Sequence, residues 1–293
     1  MGRHGELSMG FLGKIIRKAL LSKPDFWLKF GIQVTPDHFY YPIPSRDDLT
    51  ADFFSRTARC MGINWNIGEQ ERHLKEIFTK YTGEIDSRLA LKMMSPVDAV
   101  IYHSMIRHYK PNKIIEIGSG ESTKIAASAC LKNLDDGFLS ELLCVEPYPN
   151  DDLNKGFRGL SGLIKKKVQE VDLEVFKDCD MLFIDSSHVV KMGNDVVWEI
   201  LEIIPILKKG CLIHWHDIFI PKEYPEYWVR QRLFWSEQYM VQAFFMYNYE
   251  FEIIWATHFM HLSNQEEIKK VFRDFAESSY PLSSFWARRK PTP

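Results

Sequence analysis

The segment Lys113–Ser122, KIIEIGSGES, constrains the fold of this chain more than any other stretch of its sequence. An apolar run typical of a β-strand ends near Glu116, and Gly118, Ser119 and Gly120 follow before a run of helix-forming residues. Glycines at such a strand-to-helix turn permit positive φ and let a ligand approach the backbone closely. The pattern predicts a βα unit whose turn binds a ligand.

A second apolar run, Leu142–Val145, also ends in an acid, Glu146. A carboxylate that follows the strand next after a glycine-rich turn can accept hydrogen bonds from both hydroxyls of a ribose. The two runs together predict a site for a nucleoside cofactor and leave its kind open.

Strand-like and helix-like runs alternate from about residue 96 onward. Strands are predicted at Lys113–Ile117, Leu142–Val145, Leu163–Val171, Met181–Ile184, Cys211–Trp215, Phe251–Ala256 and Ser284–Arg288. Helices are predicted at Val97–Tyr109, Glu121–Lys132, Leu153–Gly159 and Asp195–Leu207. This alternation predicts an α/β fold with a mostly parallel sheet and helices on both faces. Ligands of such sheets lie beyond the carboxyl ends of the strands, where each motif quoted above falls.

The first 92 residues lack this alternation and are interpreted as an N-terminal extension of helices and loops, acting as a lid or in oligomerisation. Residues 93–293 would form the α/β domain. Within it, the aromatic segment of about residues 219–249 is interpreted as a lid over the substrate that is also partly core. The spacing of apolar and basic residues over 10–22 predicts a basic amphipathic helix. We expect that helix to pack on the domain or on a second subunit, with attachment to a membrane surface as the alternative.

Composition excludes several classes of protein. Lys and Arg number 37 against 39 Asp and Glu, a net charge of −2, so a general nucleic-acid binder is not expected. No apolar run reaches the ~18 residues that span a bilayer, and the N-terminus does not resemble a signal peptide. The five cysteines show no C-x-x-C spacing, which favours a reducing, cytoplasmic location.

The set KIIEIGSGEST, LLCVEPYP, DMLFIDSSHVVKMGNDV and GCLIHWHDIF resembles the class I S-adenosylmethionine-dependent methyltransferases. It is most similar to the branch that acts on small molecules, where F-I-D-x-x-H and H-D-I recur. The resemblance covers about residues 95–259. It implies a Rossmann-like sheet of seven strands whose antiparallel last strand lies beside the sixth.

The resemblance also implies the residues that would bind S-adenosylmethionine. The methionine part of the cofactor would lie against Glu116, Gly118, Ser119, Gly120 and Ser122, of which Ser122 replaces the third glycine of the family pattern. Glu146 would bind the ribose and Asp172 the adenine, with Glu170 as the competing residue for that role. Asp185 would lie at the methyl-transfer end.

Asp185, His188, His216 and Asp217 follow two predicted strands that would be neighbours, so their side chains should converge. Related metal-dependent O-methyltransferases carry carboxylate and amide ligands at the positions that match Asp185, His216 and Asp217. One mechanism therefore uses Mg²⁺ or another divalent metal at these residues, although a histidine suits a hard cation less well. The other uses no metal, with His188 or His216 as general base and an aspartate such as Asp185 orienting it. Asp185 could instead only cap the helix that follows its strand.

These patterns predict an S-adenosylmethionine-dependent methyltransferase that methylates an oxygen of a small molecule, such as a sugar or a secondary metabolite. An amine acceptor is not distinguished from a hydroxyl. One alternative is a nicotinamide-dependent oxidoreductase, but Thr123 stands where its G-x-G-x-x-G pattern needs a glycine. The other is a non-catalytic cofactor-binding scaffold, which the four converging residues argue against. The N-terminal extension also suggests a homodimer.

Overall fold

The computed structural model describes residues 11–38, 40–45, 47–85, 94–273 and 280–291. The described chain divides into two compact units, the first from residues 1–56 and 225–234 and the second from residues 57–224 and 235–293. The second unit contains the sheet, and it starts at Thr57, ahead of the boundary predicted after residue 92. That predicted boundary lies in 86–93, outside the described residues, and the division of the chain into 1–92 and 93–293 stays a prediction.

One seven-stranded sheet runs through the second unit in the order β3-β2-β1-β4-β5-β7-β6. Its strands are β1 (Lys113–Ile117), β2 (Glu141–Val145), β3 (Gly162–Ile164), β4 (Met181–Ile184), β5 (Leu212–Trp215), β6 (Phe251–Ala256) and β7 (Phe285–Arg289). The pairs among β1 to β5 are parallel, whereas β7 is antiparallel to both β5 and β6. The predicted Rossmann-like sheet with an antiparallel last strand beside the sixth is confirmed.

Helices precede and follow the strands. In the first unit they are α1 (Phe11–Leu21), α2 (Pro24–Leu28), α3 (Ala51–Ser55) and α11 (Glu226–Arg230). In the second unit they are α4 (Ile67–Arg72), α5 (Thr79–Tyr81), α6 (Pro96–Tyr109), α7 (Glu121–Asp135), α8 (Asp151–Lys155), α9 (Glu174–Lys177), α10 (Asp195–Trp198), α12 (Glu237–Phe245), α13 (Thr257–Ser263) and α14 (Gln265–Val271).

Apolar side chains of the strands alternate between two buried layers, one on each face of the sheet. Ile114 of β1 and Phe183 of β4 pack in the layer that contains the buried residues of α6 and α7. Ile115 and Leu182, one position along each strand, pack in the layer that contains residues of α10 and α12. Successive side chains of a strand point to opposite faces, so both faces must be covered. The predicted helices on both faces are confirmed.

The helix predicted over Leu153–Gly159 is α8, which begins at Asp151 and ends at Lys155, before Gly156 with φ +70°. Two further predicted elements differ from the structure. The strand predicted over Leu163–Val171 ends at Ile164, and a 3₁₀ turn occupies Val168–Glu170. The three lysines at 165–167 are exposed and separate the two pieces, because charged side chains gain more from water than from the apolar layers. The helix predicted over Asp195–Leu207 continues after α10 as a π-helical segment, Glu199–Ile203, and a 3₁₀ turn. Pro205 in that last turn cannot donate a helical hydrogen bond.

The aromatic segment 219–249 has a mixed burial. Phe219, Tyr224 and Phe245 are buried, while Tyr227 and Tyr249 are exposed. Part of the segment is therefore core, and its role as a lid stays a prediction. Among the described residues, no helix is both long and apolar enough to cross a bilayer.

Candidate active site

The glycine-rich turn after β1 touches the end of β4. Gly118 has φ +76°, and its N–H donates a hydrogen bond to Val145 O at 3.1 Å. A Cβ added to Gly118 would lie 1.8 Å from the backbone oxygen of Asp185, far inside any allowed contact. The N–H of Asp185 in turn donates to Ile117 O at 2.9 Å. Only glycine fits at position 118. Because glycine has no side chain, the turn predicted to bind the cofactor lies directly against the backbone of Asp185, a predicted catalytic residue.

The remainder of the turn is more open. Gly120 has an extended backbone with φ −168°, and no atom lies within 4 Å of a Cβ added to it. It directly precedes α7, whose first turn contains the buried Ser122. The N-terminus of a helix presents backbone N–H groups and a partial positive charge to a ligand. Gly120 therefore leaves open space beside a favourable helix terminus.

Glu146, after β2, lies beside this turn. Its Oε2 accepts a hydrogen bond from the N–H of Ser119 at 3.2 Å, and its Oε1 accepts one from the N–H of Tyr148 at 2.7 Å. Each carboxylate oxygen has two lone pairs, so both oxygens keep capacity for a hydroxyl. Asp172, predicted for the adenine, is exposed, and its Oδ1 accepts from the N–H of Glu174 at the start of α9.

Glu116 lies beneath the turn and is fully buried. Tyr102 donates from its hydroxyl to Oε1 at 2.8 Å, and Thr123 donates to Oε2 at 2.6 Å. Burial raises the pKa of Glu116 to about 7, although the hydrogen bonds from Thr123 and Tyr102 oppose the rise. The structure thus gives Glu116 a role in bracing β1 against α6 and α7. Its direct contact with the cofactor, implied by the resemblance, stays a prediction.

The side chains after β4 and β5 converge, as their spacing predicts. Ile184 and Trp215 are register partners, so the residues that follow them lie side by side. His188 Nε2 is 3.2 Å from Asp185 Oδ1 and 3.7 Å from Asp217 Oδ2. His188 and Asp217 both adopt the left-handed backbone, with φ +59° and +57°. The two loops are therefore bent so that a buried imidazole faces two carboxylates.

His216 completes this group. Its Nδ1 lies 3.3 Å from Asp217 Oδ2 and 3.6 Å from Asp185 Oδ1, and neither ring nitrogen has a hydrogen-bond partner within the described chain. The Ser283 hydroxyl donates to the other oxygen of Asp217 at 2.9 Å. One ligand atom from each of Asp185, His216 and Asp217 lies within 4.8 Å of the others. Two carboxylates and an unbonded imidazole at this spacing are able to hold a divalent cation.

The charges of this group perturb one another. Burial alone would raise the pKa of Asp185, but His216 and His188 outweigh it and hold that pKa below its usual range. Burial likewise disfavours a charged His216, yet Asp217 and Asp185 raise its pKa well above the usual value. The anionic oxygens thus attract positive charge, whether it is a proton on imidazole or a bound cation.

Glu237, the first residue of α12, is the residue of this site that the sequence interpretation missed. Its Oε2 lies 2.8 Å from His188 Nδ1, and its side chain is 1 % exposed. The N–H groups of Ser236 and Glu237 both donate to the backbone oxygen of His188, at 2.8 and 3.0 Å. The ring of Trp235 packs against that imidazole with centroids 4.4 Å apart. Both ring nitrogens of His188 therefore face carboxylates, Nδ1 toward Glu237 and Nε2 toward Asp185. Burial lowers the pKa of His188, but Asp185 and Glu237 outweigh it and raise that pKa well above its usual value.

A strand order with one antiparallel strand, a glycine turn after β1 and acids after β2 and β4 are typical of α/β enzymes that bind nucleosides. Residues 115–218 match the model of a family described as a methyltransferase domain. An uncharacterized protein from Archaeoglobus fulgidus is 37% identical over 161 residues, which are 48% of this chain and 72% of that protein. Residues 115–218 therefore form a methyltransferase domain, which confirms the family that the sequence resembles.

Solved structures of methyltransferases are also similar to this chain. The SAH-bound methyltransferase PaMTH1 of Podospora anserina has 16% sequence identity and a TM-score of 0.43, over 74% of this chain and 87% of that one. The O-methyltransferase TomG of Streptomyces achromogenes, in complex with SAM, has 12% identity and a TM-score of 0.40, over 78% of this chain and 97% of that one.

Proposed function

We propose that this chain transfers the methyl group of S-adenosylmethionine to a hydroxyl oxygen of a small molecule, with His188 as general base. The proposal rests on the orientation of His188, whose Nε2 faces Asp185 and Asp217 while buried Glu237 holds Nδ1. A base held in one orientation by a carboxylate is typical of enzymes that remove a proton from a hydroxyl.

The turn at Ser119 and Gly120, with Glu146 beside it, fits the cofactor. Open space beside Gly120 admits a ligand to the N-terminus of α7, and Glu146 has lone pairs free for ribose hydroxyls. S-adenosylmethionine supplies, when bound, a sulfonium methyl group whose displacement leaves S-adenosylhomocysteine. Gly118 fixes this turn against Asp185, which favours a methyl position close to His188.

The chain's own residues would then orient the acceptor and take its proton. Asp185, His216 and Asp217 would hold a divalent cation, because their donor atoms are close and His216 has no other hydrogen bond within the described chain. A cation there would lower the pKa of an acceptor hydroxyl. With a cation on Asp185, that carboxylate would no longer raise the pKa of His188, and Nε2 would be able to receive the proton. The hydrogen bond to Glu237 would stabilise the imidazolium that forms.

The first test is of the cofactor. Calorimetric titration of the full chain with S-adenosylhomocysteine, and separately with NAD, should show micromolar binding of the first alone. Glu146→Ala should weaken that binding, and Glu267→Ala, on the exposed side of α14, is the matched control. Binding of NAD alone by the folded chain would reject the proposal.

The second test is of the base and the cation. With an acceptor found by screening hydroxylated small molecules, His188→Ala should lower kcat by at least ~10²-fold while S-adenosylhomocysteine still binds. His108→Ala, an exposed histidine of α6, should leave kcat unchanged. Titration with Mn²⁺ should show a site that His216→Ala removes. Full activity of the His188 variant on the true acceptor would contradict the assignment of the base.

A further inference from the structure

We propose that the N-terminal arm, defined here as residues 11–32, binds the surface of a membrane that contains anionic lipids. Helix α1 buries none of its residues, and α2 also buries none. Large apolar side chains are exposed along the whole arm. They are Phe11, Leu12, Ile15, Ile16, Leu20, Phe26, Leu28, Phe30 and Ile32.

Five of the six large apolar residues of α1 occupy one side of the helix, and Leu21 is the exception. At 100° per residue, Phe11, Ile15 and Leu12 fall on the same half-turn, and Ile16 and Leu20 continue it. Lys14, Arg17 and Lys18 fall on the opposite side. A helix with an apolar face and a basic polar face lies in the plane of a membrane interface with its apolar side among the acyl chains.

The net charge of the arm indicates which partner binds this surface. The arm contains the basic residues Lys14, Arg17, Lys18, Lys23 and Lys29 against the single acid Asp25, a net charge of +4 in a chain whose net charge is −2. Two copies of the arm packed through their apolar faces would leave these charges uncompensated on the outer sides. The headgroups of phosphatidylglycerol or phosphatidylserine would instead neutralise them, since each basic residue near an anionic surface strengthens binding several-fold.

The turn between the helices completes the surface. The indole N–H of Trp27 donates to Leu20 O at 2.9 Å, and the ring of Phe26 contacts those of Trp27 and Phe30. Tryptophan and phenylalanine beside lysines are typical of segments that sit at headgroup level. The packing of residues 10–22 on the domain or on a second subunit, which the sequence predicts, is the interpretation with which this proposal competes.

Vesicle flotation of the full chain tests this proposal. The chain should float with vesicles of phosphatidylcholine and phosphatidylglycerol and stay unbound with phosphatidylcholine alone. The triple variant Lys14→Gln, Arg17→Gln, Lys18→Gln should bind about a hundredfold more weakly. The matched control is Lys165→Gln, Lys166→Gln, Lys167→Gln, which removes the same charge from the exposed turn after β3 and should bind like the unaltered chain.

The apolar face has its own test. The variant Ile15→Glu, Ile16→Glu should lower vesicle binding at least ~10-fold, whereas Leu139→Glu, at a 75 % exposed position in the second unit, should not. Titration with S-adenosylhomocysteine checks that each variant is folded. Failure of the folded chain to bind anionic vesicles, or equal binding to neutral ones, would overturn the proposal. So would a dimer in light scattering that Ile15→Glu dissolves, because the face would then join two copies.

Discussion

Replacing Gly118 with alanine should destabilise the chain and displace a predicted catalytic residue at once. The added Cβ would lie 1.8 Å from Asp185 O, whereas real Cβ contacts stay beyond about 3.0 Å, so the two backbones must separate by about 1.2 Å. The N–H of Asp185 resists this separation because it is bonded to Ile117 O at 2.9 Å, at the end of the same strand β1.

The expected loss of stability in Gly118→Ala has two contributions. A residue other than glycine at φ +76° costs about 1–2 kcal/mol. Forcing a close-packed contact apart costs a further ~1–3 kcal/mol. Gly118→Ala should therefore lower the free energy of unfolding by about 2–5 kcal/mol, which corresponds to a fall in Tm of roughly 5–15 °C.

Two matched variants separate these parts. Gly137→Ala introduces the same residue at φ +84° with no atom within 4 Å of its Cβ, so it should show the conformational part alone. Gly120→Ala has neither a positive φ nor a neighbour and should change stability by less than ~1 kcal/mol. Thermal and urea unfolding give the free energies, and titration with S-adenosylhomocysteine reports the cofactor site. If Gly118→Ala costs no more than Gly137→Ala, the close approach of the turn to Asp185 is wrong.

Two further predictions concern buried carboxylates. The folded pKa of Glu116 is about 7 against a usual 4.5, so its contribution to stability is complete below pH 4.5 and is lost as pH rises through 7. The free energy of unfolding of the unaltered chain, measured relative to that of Glu116→Gln, should therefore fall by about 3 kcal/mol between pH 4.5 and 8. Urea unfolding of both chains at each pH measures this difference in free energy. A difference that stays constant with pH would contradict the prediction. Glu237→Gln should lower kcat by ~10–100-fold with KM and S-adenosylhomocysteine affinity unchanged, because the amide still bonds His188 but no longer stabilises its charge. Steady-state kinetics of Glu237→Gln, with Glu267→Gln as the control variant, test this prediction. A change in KM alone would indicate that Glu237 contacts the acceptor instead.

Strands at the centre of the sheet could be predicted from the sequence because they are buried on both faces. The central strands β1 and β4 have the predicted bounds, because a strand that is covered on both faces has a continuous apolar run. The edge strand β6 also has the predicted bounds, since five of its six residues are buried. The edge strand β3 could not be placed as well. This strand has few apolar residues. Tertiary packing decides that the chain leaves the sheet at Lys165–Lys167, and a local sequence pattern does not contain that information.

The convergence of Asp185, His188, His216 and Asp217 followed from topology, because carboxyl ends of neighbouring parallel strands meet at one edge. Glu237 carried no comparable signal. It stands at the start of α12 within an aromatic segment, where an acid is already explained as a favourable first-turn residue. This distant carboxylate is brought to the imidazole by tertiary contacts, which include the two backbone hydrogen bonds from Ser236 and Glu237 to His188 and the one from the N–H of Val190 to the hydroxyl of Ser236.

The left-handed backbones of His188 and Asp217 mark a local conflict between folding and chemistry. Histidine and aspartate adopt positive φ more often than most residues other than glycine, but each still adopts it at a cost that the rest of the fold must outweigh. A chain selected for stability alone would place glycine there and lose the imidazole and the carboxylate with it. These two residues are points of local frustration, and the surrounding fold holds their reactive groups where relaxation of the backbone would move them apart.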